Sequence, residues 1–145
     1  MNYWQRIKDL REDNDYKQID ISNYLKCDKE RYVKWENGVN AIPLEYLIKL
    51  SIFYDVSVSY ILGLSNEKKT ASIKFYDMKI IGMNIAKQRN LHLELQKDLA
   101  ILLNCSVDSI SNYENAKNSI PIQKLIKICQ HYNINVEELL NEYEY

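Results

Sequence analysis

Lys29, Glu30, Arg31 and Lys34 take the outward positions of a short segment between Asp28 and Trp35, and three of the four are basic. On a helix, side chains three and four apart are neighbours, so this set would share one face. Arg and Lys in such a row can donate to O6 and N7 of guanine, and Glu can accept from N4 of cytosine. A good bidentate pair contributes ~1–3 kcal/mol of discrimination between bases. The plain alternative is a solvated face held by an i,i+4 pair such as Glu30–Lys34. The first reading is preferred because these basic residues gather in a chain whose net charge is −1.

The segment carrying them is written twice. Residues 18–43 read QIDISNYLKCDKERYVKWENGVNAIP, and residues 96–121 read QKDLAILLNCSVDSISNYENAKNSIP. Gln, Asp, Leu, Cys, Glu-Asn, Asn and Ile-Pro recur at one spacing, offset by about 78 residues, far beyond a solenoid period. Each copy has the pattern of a helix, a tight turn and a second helix, with more helix to follow. Gln18 and Gln96 open the first of these helices, where unpaired backbone N–H groups can meet a phosphate.

Helical periodicity predicts the elements that must position these residues. In the first unit helix 1 spans about residues 3–12 on Ile7 and Leu10, and helix 2 spans 17–25 on Ile21 and Leu25. Ser22, like Ala100 in the second copy, falls where a small side chain lets helix 2 approach helix 3. The turn lies at Lys26-Cys27 and Asn104-Cys105, where a positive φ suits Asn104 better than Lys26. Asp28 and Ser106 are placed to cap helix 3, predicted over 29–37 and 107–115. Ile42-Pro43 and Ile120-Pro121 announce helix 4, and short fifth helices follow at 58–62 and 136–140.

These elements give an all-α fold of two tandem five-helix units, with domains at 1–64 and 77–145 and a linker at 65–76. With 145 residues, 3 Gly and 2 Pro, two small domains are affordable but each is marginal alone. No apolar run approaches the ~20 residues of a membrane span, and the first residues are too charged for a signal peptide. Cys27, Cys105 and Cys129 make an odd set without CxxC spacing, which points away from disulfides and zinc and towards a cytoplasmic setting. All three are expected to be small core residues. His92 and His131 stand far apart without ligand partners at useful spacing, so neither a metal nor another cofactor is expected. No Gly-rich phosphate loop and no Ser/His/Asp set is present, so an enzyme is not expected.

The pattern Gln, small residue, Leu-x-Cys, then Tyr or Ile, then Trp or Tyr followed by Glu-Asn and Ile-Pro resembles the phage Cro/repressor-type helix-turn-helix (XRE) family. The resemblance covers most of the chain, twice. The first copy keeps WENG and the second has YENA; Lys17 and Leu95 stand where a Thr commonly precedes the Gln. The resemblance implies a lambda-repressor-like fold, double-stranded DNA as partner, and a repressor role. It implies base reading by Lys29, Glu30, Arg31 and Lys34, and phosphate contacts by Lys17, Gln18, Asn37, Gly38 and Asn40. It also implies a structural salt bridge in each unit, Arg11 with Glu36 and Arg89 with Glu114, whose equal spacing points the same way.

In the second unit the corresponding set is Gln96, Asp108, Ser109, Asn112, Asn115, Lys117 and Asn118. Asp108 opposes phosphate charge, so this unit either reads a half-site loosely or has become an interaction domain. One unit makes few phosphate contacts, and nonspecific affinities of about 10⁻⁴–10⁻⁶ M are weak for regulation. A homodimer presenting two first units to a palindromic site is therefore expected. Its contact surface would include exposed apolar or aromatic residues of the second unit or of the tail at residues 142–145. The rival reading is a protein-interaction module, antitoxin-like or anti-repressor, that kept the fold and lost DNA binding. No effector is indicated.

Overall fold

Lys26 and Asn104 both adopt left-handed backbone, with φ of 55° and 52°, and each ends one helix so that the next can turn across it. The structure is a computed structural model that describes residues 2–141. Among those residues it contains ten helices and no strand. It divides into two units, Met1–Lys74 and Phe75–Tyr145.

The first unit contains α1 (Tyr3–Asp13), α2 (Gln18–Leu25), α3 (Lys29–Glu36), α4 (Leu44–Tyr54) and α5 (Val58–Ile61). α1 packs on α3 and α5, α2 on α3, and α4 on α5. The apolar stripes converge: Ile7, Leu10, Ile21, Leu25, Tyr32, Trp35, Leu47 and Ile48 are all buried. Burying each such side chain contributes roughly 1.5–3 kcal/mol, which is how a unit of this size overcomes its chain entropy. Ser22 is fully buried where α2 meets α3, and its hydroxyl donates to the Ile19 carbonyl at 3.0 Å.

The second unit contains α6 (Met78–Leu91), α7 (Gln96–Leu103), α8 (Val107–Glu114), α9 (Ile122–Tyr132) and α10 (Glu137–Leu140). α6 packs on α8 and α10, and α7 on α8 and α9. Asp77 caps α6 through its side chain, accepting from the amides of Lys79 and Ile80. Ser106 caps α8 by accepting from the Ser109 amide. Asp28 holds the same position before α3 but makes no side-chain cap bond. Pro43 and Pro121 stand at the N-cap rather than inside the first turn, where the missing N–H costs nothing.

Two features depart from the sequence-based expectation. Most of the stretch read as a linker belongs to the first unit: Ser57 donates its amide to the Lys69 carbonyl, and Ala71 donates to Asp55. Arg6 of α1 reaches the same stretch, donating to the carbonyls of Tyr60 and Ser65 and to Asn66 Oδ1. Cys27 and Cys105 are half-buried rather than core residues, and only Cys129 is buried. Both half-buried thiols sit just past a left-handed residue, which carries them to the edge of the helix pair.

Candidate nucleic-acid interface

Helix α3 lies across the first unit with Tyr32, Trp35 and Glu36 inward. That orientation leaves Lys29, Glu30, Arg31 and Lys34 exposed together. Arg31 is held above the aromatic rings of Trp35 and Tyr46, 5.0 and 5.4 Å from their centroids. Cation–π contact of this kind orients the guanidinium while leaving its planar donors available. Tyr46 on α4 was not singled out from the sequence. Its counterpart in the second copy is Lys124, which donates to the Tyr113 hydroxyl at 3.3 Å, so the repeat hid the pattern.

The start of α2 lies beside the end of α3. Gln18 Nε2 donates to Glu36 Oε1 at 3.4 Å, and Gln96 Nε2 donates to Glu114 Oε1 at 3.2 Å. A glutamine amide has two donor hydrogens, and in each unit one of them is directed to this carboxylate. Lys17 is exposed, and its amide donates to Asp20 Oδ2 at 2.8 Å. Asn37, Gly38 and Asn40 are exposed on the loop leaving α3. The Lys34 carbonyl shapes that loop by accepting from the amides of Val39 and Asn40.

Arg11 closes the arrangement from α1. Its Nε lies 2.9 Å from Glu36 Oε2 and its Nη2 2.6 Å from Oε1, while Nη1 donates to the Tyr16 carbonyl. Burial pushes the Glu36 carboxyl up, but the hydrogen bonds and charge of Arg11, joined by hydrogen bonds from other neighbours including Gln18, together outweigh it and hold the group below the usual carboxylate range. Arg89 and Glu114 repeat the pair at 2.8 and 2.9 Å.

In the second unit, Asp108 is exposed and Ser109 is taken up by the α8 cap, with its Oγ 3.0 Å from Ser106 Oγ. Asn112 is half-buried, and its backbone carbonyl accepts from the amides of Lys117 and Asn118, as that of Lys34 does from Val39 and Asn40. Asn115 donates to Ser111 Oγ at 3.1 Å. Ser109 and Asn115 thus bond to other α8-segment side chains, and the row that is basic on α3 carries no Lys or Arg on α8.

Burial raises the Cys27 thiol above its ordinary value and pushes Cys129 up to about 12, the opposite of an activated thiolate. His92 and His131, distant in sequence, both lie against Tyr132, and His131 Nε2 is 2.7 Å from Glu94 Oε1. Among the described residues no cluster of three or more His, Cys, Asp or Glu could hold a metal ion. Nor is any described helix long and apolar enough to cross a membrane.

Two copies of a helix-turn-helix unit, one with an exposed basic second helix, define a tandem helix-turn-helix protein. The family model described as Helix-turn-helix matches residues 7–61 and again 85–139, and the chain belongs to this family, of the Cro/repressor (XRE) type. It is 32% identical over 63 residues to Antitoxin PezA of Streptococcus pneumoniae serotype 4, covering 43% of this chain and 40% of that protein. It is 34% identical over 65 residues to the uncharacterized HTH-type transcriptional regulator YobD of Bacillus subtilis, covering 45% and 58%. The chain thus spans less than two thirds of either relative. Among solved structures, the restriction-modification controller protein C.AhdI from Aeromonas hydrophila superposes with a TM-score of 0.42 at 19% identity, covering 44% of this chain and 97% of that one.

Proposed function

We propose that this protein is a cytoplasmic, sequence-specific DNA-binding transcriptional repressor that reads the major groove with α3 of its first unit. One observation carries the reading: Lys29, Arg31 and Lys34 stand exposed together on α3 in a chain of net charge −1. A reader of sequence needs positive charge only on its docking face. In this reading Lys29, Glu30, Arg31 and Lys34 meet base edges. Lys17, Gln18, Asn37, Gly38 and Asn40 meet phosphates on either side. Two copies of the chain present two first units to a palindromic site about one helical turn between half-sites.

The second unit favours a different role. Its reading helix offers Val107, Asp108, Ser109 and Asn112 with no basic residue among them, which supports an interaction function for that unit. The similarity to an antitoxin over less than half the chain supports the same alternative for the protein as a whole.

Selection of binding sites from randomised duplex DNA by the full chain tests the proposal. Recovery of a palindromic consensus, bound far more tightly than scrambled duplex at physiological salt, is the expected result. Enrichment of no consensus would overturn it.

A further inference from the structure

Of the four arginines in the chain, three spend guanidinium donors on the protein itself. Arg6 donates to the carbonyls of Tyr60 and Ser65, Arg11 to Glu36 and Arg89 to Glu114. Arg31 differs. Among the described residues its guanidinium makes no hydrogen bond and no ion pair, and the contacts that fix it are the rings of Trp35 and Tyr46. A free arginine side chain must give up its rotamer freedom to set a planar fork against a base. A ring that already restrains it removes part of that cost before binding.

Burial separates the roles of the two rings. Trp35 is 2% exposed and belongs to the core, whereas Tyr46 is half-buried on α4, its centroid 4.9 Å from that of Trp35. Tyr46 is flanked on its own helix by the Lys49 ammonium, 5.3 Å from its centroid and paired with Glu45 at 3.4 Å. It thus extends the aromatic surface of Trp35 out of the core to Arg31. The second unit has the chemistry exchanged. Ser109 stands at the place of Arg31, and Lys124 at the place of Tyr46. The Lys124 ammonium lies 5.7 Å from the Tyr113 centroid and donates to its hydroxyl. The arginine on the reading helix and the ring on the following helix occur together in one unit and are lost together in the other.

We propose that Tyr46 is a positioning residue for base reading: its ring, with that of Trp35, holds the Arg31 guanidinium ready to donate to O6 and N7 of guanine, and so sets guanine at one position of the site read by α3. The inference rests on the DNA-reading role proposed above and names the base that one residue of it selects.

Site selection from randomised duplex, then titration on the selected site and its single-base variants, tests it. The position whose preference vanishes in Arg31→Ala is the one Arg31 reads, and the wild type is expected to favour guanine there by about tenfold. Tyr46→Leu keeps an apolar cover beside Trp35, and Tyr46→Lys takes the residue of the second unit. Both should lower that preference at least about threefold and leave the other positions unchanged. Tyr46→Phe, which returns the ring without its hydroxyl, should restore it. In the free protein, ring-current shifts of the Arg31 δ-protons should be present in the wild type and Tyr46→Phe and shrink in Tyr46→Leu. Circular dichroism and thermal midpoints check folding. The inference falls if Tyr46→Leu keeps the wild-type base profile, if it loses affinity evenly at every position, or if the base at the Arg31 position is not guanine. In each of those cases the selected site, and with it the proposed function, still stands. A wild type that enriches no consensus overturns both.

Discussion

Arg11 and Glu36 form a two-point ion pair that joins the last turn of α1 to the last turn of α3. The Glu36 side chain is only 1% exposed and that of Arg11 12%. Gln18 leans on the same carboxylate, so one pair both ties helices together and orients a residue at the proposed interface. Removing either partner strands a charge in a site that water barely reaches, and such losses cost about 3–5 kcal/mol. Glu36→Ala is expected at the lower end of that range by urea unfolding. The exposed Glu45–Lys49 pair, 3.4 Å apart, serves as control, with Glu45→Ala costing under about 0.5 kcal/mol. Equal effects of the two substitutions would count against the buried pair.

Acid should weaken the first unit through the same carboxylate. Burial alone would raise the Glu36 carboxyl, but the hydrogen bonds and charge of Arg11 together with hydrogen bonds from its other neighbours, Gln18 among them, hold it below its usual range in the folded protein. As pH falls, the unfolded chain therefore takes up the proton first. The stabilisation is complete above the ordinary Glu value of about 4.3 and disappears as pH drops through the depressed folded value. Urea midpoints between neutral and acid pH should fall less for Glu36→Gln than for the wild type. Parallel curves would remove Glu36 from the account.

Gly82 and Gly38 reverse the usual expectation for glycine. In an exposed helix Gly→Ala stabilises by about 1 kcal/mol. A Cβ on Gly82, however, would stand 2.6 Å from the carbonyl oxygens of Tyr113 and Glu114, which belong to a packed helix end and cannot swing aside. Gly82→Ala is expected to destabilise by about 1–3 kcal/mol. Gly38 has φ of +73°, and its Cβ would meet the Trp4 ring at 2.5 Å, so Gly38→Ala should also destabilise. Thermal melts decide, and a stabilised Gly82→Ala would mean that α6 lies farther from α8 than described.

The proposed interface separates into base readers and phosphate clamps. Lys29→Ala and Arg31→Ala should each cost about 1–3 kcal/mol on the selected site and relax base preference. Gln18→Ala and Asn40→Ala should weaken binding to specific and scrambled duplexes alike. Arg31→Lys should behave like Arg31→Ala, since lysine offers neither the planar fork nor the same stacking on Trp35 and Tyr46. Titrations at two salt concentrations distinguish the sets. Uniform losses across all variants and both duplexes would mean that α3 reads no bases.

The sequence by itself determined the features that act between near neighbours in the chain. Apolar spacing placed the six helices for which it gave bounds to within about a residue. The Asn104 turn, Ser106 as a cap and the prolines before α4 and α9 followed from local backbone chemistry. The repeat made the Arg11–Glu36 and Arg89–Glu114 spacings visible. Exposure of Lys29, Arg31 and Lys34 followed from burial of Tyr32 and Trp35 on the opposite side of α3. Tertiary structure alone decided how closely helices approach and what fills the space between them. Trp4 over Gly38 in the first unit becomes Gly82 and Ala116 in the second, so bulk moves off α1 and the helix end comes nearer. Arg6 is replaced by Asn84, which donates to the carbonyls of Leu139 and Asn141, the same task done with a shorter side chain. Neither exchange shows in periodicity, because each depends on residues tens of positions apart whose separation is set by packing.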